Sequence, residues 1–339
     1  MKIAVIGAGL SGIALCYYLQ QTSGVQVTLF DKEGIAAGAS GAASGLMHPY
    51  VGEELRRSQR ADEAFAASKD LLEVASQHSG ETIADFSGIE RVAQNPDQLR
   101  ILKEHIIRYG DISHLGGPSF LMHMGATVNT TGYLQALWRV CEAMGAKFQK
   151  QEIANLEDLT GFDQRVVASG VGIFTFVEFS QFRLSTARGQ SLITRWPVDI
   201  PYLERSRVGK GYLASSFQKD RICMGATFEK GSFSSVPDRE AAIRDLGVKM
   251  HALMPELTLD PIEVKAGVRV SSRGHYFPLI GNVKPGLWVM VGLGSRGLLY
   301  HALFSRMLCK AIIEGDEEGI PLITKQLLSK NKQLSYNLI

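Results

Sequence analysis

Three groups of residues in this chain have types and spacings suited to chemistry. The first is Gly7-Ala8-Gly9-Leu10-Ser11-Gly12, followed 24 residues after Gly7 by Asp31 and then Lys32. In a G-x-G-x-x-G turn the first glycine makes the tight bend and the second lets backbone approach a pyrophosphate. The third permits close packing of a helix on a strand. The helix that opens there points free N–H groups and a partial positive charge at phosphates. Asp31 is placed to accept hydrogen bonds from an adenosine ribose. The second group is another glycine turn near the far end, Gly292-Leu293-Gly294-Ser295-Arg296-Gly297-Leu298. The third is Arg269, whose planar fork of donors suits a carboxylate, although a strand arginine can equally serve a surface or an ion pair. Tyr212 or Tyr276 would add a hydroxyl donor, while buried tyrosines are more often core residues.

These groups need elements to position them. An apolar run Ile3 to Ile6, the glycine turn, an apolar helical stretch through Leu19 and a second run Val25 to Phe30 spell strand, turn, helix, strand, acid. The nearly uncharged Ile3 to Leu19 after Lys2 resembles the start of a secretory signal. Glycines at 7, 9 and 12 argue against that, and no small-x-small cleavage site precedes Gln26 to Phe30. Cys16 follows the bulky Leu15, which is wrong for lipoprotein processing. A cytoplasmic protein without a targeting segment is expected. Next comes a run of small residues, with Gly34, Gly38, Ala39, Ser40, Gly41 and Gly45 leading into Leu46. It reads as a flexible linker or as a loop pressed against a large planar ligand. The loop is favoured, because small residues directly after a ribose-binding strand bring backbone N–H groups close.

Glu53 to His78 has the apolar spacing of an amphipathic helix stopped at Gly80. Arg56, Arg57 and Arg60 fall within little more than a turn of it, as a solvated face or a nucleic-acid contact. Phe86 to Met124, broken by Pro96, Gly110 and Pro118, reads as irregular. Thr130-Thr131-Gly132 opens a helix ended by Gly145. Phe148 to Ile153 and Arg165 to Ser169 read as strands returning to the dinucleotide domain, the latter ending at Gly170, where backbone can again meet a cofactor. Ile153 is counted with the cofactor contacts. Runs at 188–193, 211–216 and 221–225 suggest a mostly antiparallel sheet. Pro237 to Met254 is expected as a helix with Pro237 in its first turn, and Lys265 to Arg273 as the last substrate strand. Leu287 to Val291, the second glycine turn and a helix Leu298 to Glu314 close the pattern.

Composition suits an enzyme of intimately packed domains, at 339 residues, 45% hydrophobic and 21% charged. Four scattered cysteines give neither a disulfide framework nor a C-x-x-C metal site, and no metal is expected. A net charge of +2 neither demands nor excludes a nucleic-acid partner. No stretch after the first helix is long enough to span a bilayer, so no membrane partner is expected.

The second glycine turn separates the cofactors. A nicotinamide enzyme needs one strand-turn-helix at the pyrophosphate. An extended flavin also needs a helix start at its pyrimidine end, where reduction leaves negative charge. Both are present, which favours FAD over NAD. Together with Gly38-Ala39-Ser40-Gly41, Arg188-Gly189-Gln190, Gly267-Val268-Arg269 and Pro278-Leu279-Ile280-Gly281, these turns resemble the FAD-dependent D-amino-acid oxidase and glycine oxidase superfamily. Within it, Gly267 to Arg273 and Val291 to Leu298 are most similar to the flavin-dependent half of the MnmC family, bifunctional enzymes that mature the wobble uridine of tRNA. His275-Tyr276-Phe277-Pro278 departs from that pattern, being one residue longer and lacking an acid after Arg273, and the methyltransferase half has no counterpart here.

The resemblance implies an α/β fold, with a Rossmann-like FAD-binding domain and an inserted α+β substrate domain built on a mostly antiparallel sheet. The cofactor segments are expected at 1–50, 125–185 and 265–339, and the substrate segments at 51–124 and 186–264. It also implies oxidation of the glycine unit in 5-carboxymethylaminomethyluridine of tRNA, leaving 5-aminomethyluridine and glyoxylate. The alternative is a small-molecule oxidase of glycine, sarcosine or a D-amino acid. Molecular oxygen or another acceptor would take the electrons. A flavin-holding protein without a substrate is disfavoured by Arg269. His48 and His275 are expected near the site, in structural roles.

Overall fold

A computed structural model describes residues 1–336, with side chains described to Asn331. The last three residues of the expected 265–339 segment lie outside the described residues. Lys2–Ile6 is the centre of a six-stranded sheet, flanked in parallel by Gln26–Asp31 on one side and Gln164–Val167 on the other. Lys147–Lys150 extends the first side. Leu287–Val291 extends the other in parallel, with Leu279–Lys284 antiparallel at that edge. Parallel strands are buried on both faces, and alternate residues divide accordingly. Ile3 and Val5 pack with Ile13, Leu137 and Leu303 of the covering helices Leu10–Gln20, Thr130–Ala143 and Gly297–Glu314. Ala4 and Ile6 pack with Phe30, Ile153, Phe179 and Val289 on the other side.

The second sheet has nine strands and is mostly antiparallel. Its long members, Leu184–Arg195 and Pro261–Ser272, pair along nearly their whole length. One face sets Leu192, Leu213, Ile222 and Met224 against the helix Arg239–Leu253. Pairing puts Arg91, Val208, Tyr212, Gly225, Ser191 and Lys265 in one row across the sheet. Directly paired residues share a face, so this row looks the other way, toward residues 36–60 and the first sheet. Arg269 shares that face, two alternations from Lys265.

Several expectations are corrected. The helix expected from Glu53 begins only at Ala61 and runs to Ser79. Leu55 and Arg60 are left-handed, with φ of 54° and 53°, and Leu55 is an anchor buried with Ile89 and Phe120 in a separate cluster. Arg56, Arg57 and Arg60 therefore share no helix face. Each has an acid, Glu54 for Arg56, Asp62 and Asp111 for Arg57, and Glu63 for Arg60. Phe86 to Met124 is ordered, with strands Ile89–Val92, Ile112–Gly116 and Ser119–Met122 around a helix Pro96–Tyr109. Pro96 and Gly110 are that helix's ends rather than breaks. Asn95 caps it by accepting from Gln98 N at 2.9 Å, and Gly110 closes it at φ 70°. Pro237 stands before the helix it was expected to start, where Asp238 is the cap.

The fit of Leu10–Gln20 on Lys2–Ile6 turns on Gly12, where a Cβ would lie 1.9 Å from Gly7 O. Gly12→Ala should lower stability by about 3 kcal/mol or more, since the backbone itself must shift. Gly38→Ala, whose Cβ meets nothing within 4 Å, should unfold at the parent's urea midpoint. Equal midpoints for the two variants would refute this account of the turn.

Candidate active site

Gly7 sits at φ 109°, donates its N–H to Phe30 O at 2.8 Å, and leaves no space for a Cβ, which would lie 2.6 Å from Ala168 O. Gly9 caps the next helix, whose first turn carries no acidic residue, so its N–H groups and dipole suit a phosphate. Asp31 accepts from Ala8 N at 2.8 Å through one oxygen and from Glu33 N and Gly34 N at 2.9 Å through the other. It thereby fixes the turn and the start of the small-residue loop together. Lys32 is directed outward to Glu152 at 3.5 Å.

The loop lies between the two sheets. Ser40 Oγ accepts from Leu10 N at 3.1 Å, and a Cβ on Gly267 would lie 2.8 Å from the Ala39 Cα. Gly45, at φ 82°, passes so close to Val128 O that a Cβ would lie 1.8 Å away. Leu46 then pairs with Thr127 in a short strand. Gly38 is open, Ile153 is buried beside Phe30, and Gly170, at φ 55°, opens the turn after Gln164–Val167. The second glycine turn meets the first. A Cβ on Gly297 would lie 3.2 Å from Leu10 Cδ1, and Ser305 Oγ donates to Ser11 O at 3.2 Å. Gly294 is left-handed, Ser295 is exposed, and Leu298 is buried at the helix start. Two helix starts on adjoining turns, one beside a strand-end acid and both bordered by small residues, fit an extended flavin dinucleotide.

Arg269 lies over Gly189, where a Cβ would be 1.9 Å from Nη2. That nitrogen donates to Thr227 O at 3.2 Å, and the Phe228 ring centre is 5.8 Å from the guanidinium carbon. No described carboxylate pairs with it, whereas the sheet neighbours Arg188 and Arg207 have Glu229 and Glu90. Burial pushes the Arg269 pKa down, yet an arginine stays cationic. Tyr212 bonds Ser44 Oγ at 2.8 Å, and burial pushes its phenol pKa up, so it remains a donor at neutral pH. Tyr276 is not brought to Arg269. It is 56% exposed, and its ring lies 4.1 Å from the guanidinium carbon of Arg296. Arg296 is buried and donates through Nε to Ser58 Oγ at 3.1 Å. His275 accepts from Phe277 N at 3.1 Å and stacks on that ring.

Two groups escaped notice in the sequence as site residues. Ser44 ties the loop to Tyr212 and also accepts from Cys223 Sγ at 3.0 Å. Arg91 is only 3% exposed. Its signal was an arginine at the same parity as buried Ile89 in a short alternating run, hidden inside a segment read as irregular.

A parallel sheet with two converging glycine turns, covered by an antiparallel sheet that presents an arginine without a carboxylate partner among the described residues, is an architecture suited to a flavin-dependent oxidoreductase. Residues 2–311 match the family model described as DAO, FAD dependent oxidoreductase, and the chain belongs to that family. It is similar to the tRNA 5-methylaminomethyl-2-thiouridine biosynthesis bifunctional protein MnmC of Maricaulis maris (strain MCS10), at 25% identity over 324 residues, 92% of this chain and 52% of that protein. The chain thus spans about half the length of the curated relatives it matches. Among solved structures, glycine oxidase from Geobacillus kaustophilus superposes with a TM-score of 0.79 at 19% identity, covering 94% of this chain and 96% of that one. Iminodiacetate oxidase (IdaA) from Chelativorans sp. BNC1 does so with 0.78 at 20%, covering 94% and 97%. The cofactor is FAD, and the enzyme is an FAD-dependent oxidoreductase. No helix among the described residues is long and apolar enough to cross a membrane, and no group of three or more His, Cys, Asp or Glu among them could hold a metal.

Two buried histidines make stability depend on pH. Burial, with the charges of Arg91 and Arg296, holds His48 down at about 3, and burial holds His301 at about 4. His301 Nδ1 donates to Leu298 O at 3.0 Å, so Nε2 accepts from Tyr133 Oη at 2.7 Å. Both rings are neutral in the folded state, whereas unfolded histidine titrates near 6.5. Their contribution is present above about pH 6.5 and is lost as pH falls toward 4. Between pH 7.5 and 5 each should remove about 2 kcal/mol from the unfolding free energy. His48→Asn should lose about half of that pH dependence in urea titrations, and an undiminished dependence would contradict a neutral His48.

Proposed function

We propose that this enzyme oxidises a glycine unit attached through its nitrogen to a larger group, the 5-carboxymethylaminomethyl side chain of a tRNA uridine. With water, R–NH–CH2–COO⁻ becomes R–NH2 and glyoxylate, giving up two electrons and two protons. FAD, when bound, supplies the two-electron acceptor, and molecular oxygen or another acceptor would reoxidise it. The observation that carries the reading is Arg269, half-buried on the sheet face turned to the small-residue loop, with no carboxylate partner among the described residues. Arg269 holds the substrate carboxylate by its fork. The Tyr212 hydroxyl, held by Ser44, is the second donor. Together they fix the methylene's direction, and fixed orientation is a large part of rate. The tRNA assignment draws its support from the similarity to the tRNA-modifying MnmC proteins. The cofactor segments proposed are 1–50, 125–185 and 265–339, and the substrate segments 51–124 and 186–264, with Pro261–Ser272 crossing that boundary.

A second reading, oxidation of a free small amino acid, has its own observation. The acids beside Arg56, Arg57 and Arg60 remove the one basic cluster that the sequence offered for phosphate contacts. Under that reading the likeness to glycine oxidase and iminodiacetate oxidase extends to the substrate.

Carboxymethylaminomethyl-modified tRNA should bleach the flavin anaerobically and yield glyoxylate, much faster than glycine, sarcosine or D-alanine. Rapid bleaching by glycine with none by the tRNA would select the second reading. Arg269→Gln should keep its flavin and lose about 2 to 5 kcal/mol of transition-state binding, roughly 30-fold to several thousand-fold in turnover. Normal turnover would remove Arg269 from the site. Apparent affinity for the tRNA should also fall steeply with added salt.

A further inference from the structure

Arg91 has five N–H donors, and none of them meets a described acceptor. It is 3% exposed, and its Nε is buried without a partner. Pairing through Val208 puts it beside Tyr212 on the face turned to the site. His48 is 8% exposed, has an unpartnered buried Nδ1, and stands two residues before Tyr50, which is buried in one cluster with Ile89 of the Arg91 strand. Arg296 is 7% exposed, lies against the Tyr276 ring and donates through Nε to Ser58, which in turn donates through its N–H and its Oγ to the carbonyl of Pro49 at 2.8 Å, next to His48. The charges of both arginines reach His48. The acid whose charge reaches Arg91 is Glu53, which is exposed and makes no hydrogen bond to it. A buried ion without a partner costs several kcal/mol, and buried polar groups are otherwise hydrogen-bonded. Two cations without a carboxylate partner and a neutral ring donor, with no buried acid among the described residues, describe a receptor for an anion.

We propose that Arg91, His48 and Arg296 form a second anion subsite, and that the substrate is a dianion with its oxidised glycine carboxylate on Arg269 and a carboxylate or phosphate group on Arg91. This rests on the proposed role of Arg269. It deepens that reading by requiring a second charge that glycine, sarcosine and D-alanine do not have. Arg91 supplies the bidentate fork, His48 donates from its neutral ring, and Arg296 adds charge from the second glycine turn.

The test uses the flavin-loaded protein and two ethers that cannot be oxidised at a C–N bond, methoxyacetate with one carboxylate and diglycolate with two. Binding is read from the flavin difference spectrum. Diglycolate should bind at least roughly 10-fold tighter, as a charge-assisted pair is worth above about 1.4 kcal/mol. Arg91→Leu should abolish that advantage while methoxyacetate binds as before, and Arg91→Lys should recover part of it. Inorganic phosphate displacing diglycolate but not methoxyacetate assigns the subsite to a phosphate-bearing substrate. Failure of phosphate to compete, with the diglycolate advantage intact, assigns it to a dicarboxylic amine.

Equal affinities for the two ethers in the parent overturn the proposal, and this comparison needs no variant to fold. Loss of both ethers in Arg91→Leu, or loss of its flavin, also overturns it by giving Arg91 a structural or cofactor role. If Arg269→Gln still binds methoxyacetate normally, the reading of Arg269 fails, whereas a retained diglycolate advantage keeps the second subsite. If neither ether binds while modified tRNA still bleaches the flavin, the subsite fails and the tRNA reading stands.

Discussion

The contact between Gly12 and the Gly7 carbonyl sets the geometry on which everything else is built. A methyl group at either position meets backbone, and backbone cannot rotate out of the way as a side chain can. With both glycines in place, Leu10–Gln20 lies directly on Lys2–Ile6, and its N-terminus is fixed relative to the sheet. That start then fixes the second one, because Ser11 O accepts from Ser305 Oγ and Leu10 packs under Gly297. The distance between the two helix starts is therefore determined by packing rather than by loop conformation. A rigid, extended cofactor needs such a fixed separation.

The small-residue loop carries this precision into the second sheet. Ser40 binds the first helix start, Ala39 lies under Gly267, and Ser44 holds Tyr212. Larger side chains at these points would separate the two sheets. Glycine at 189 has the same logic from the other side, since only there can the Arg269 guanidinium lie flat across a neighbouring strand. Small residues cost core volume, and the uncompensated arginines cost solvation. Both costs are concentrated where the two sheets meet, which is how a binding site differs from a core.

Much of this could be read from the chain. Both glycine turns and the small-residue loop are legible because strand, turn and helix signals stand next to one another in the chain, and the structure brings the two turns into contact. The strands at 212–215 and 221–225 showed the usual turn-bounded β pattern. What escaped had a nonlocal cause. Leu55 looked like the first rung of a helix, yet it is an anchor for a different cluster, with Ile89 and Phe120 contributed from far along the chain. Pro96 and Gly110 bound a helix, but punctuation alone does not tell ends from breaks. Arg91 was invisible because its parity matters only once the strand Ile89–Val92 is paired with Ser206–Val208. The basic cluster at 56–60 reads as a solvated face or a phosphate contact from sequence, and a partner of Arg57 that bears on that choice, Asp111, lies 54 residues away.

The arrangement separates two tasks that a single arginine cannot perform. In the proposed reading Arg269 recognises a carboxylate, and every candidate substrate has one, so its contribution orients the reacting carbon without choosing among molecules. Selection requires contacts that only the right substrate completes. Loop residues 56–60 do not supply them, because their charges are already satisfied by nearby acids. Arg91 keeps a buried Nε without a partner, Arg296 has no carboxylate partner among the described residues, and the charges of both reach His48. A charge buried without its partner is unfavourable in the free protein, so the ligand that completes it gains relative to one that does not. Under the proposed reading, discrimination is located away from the reacting bond, on the part of the substrate that is not oxidised.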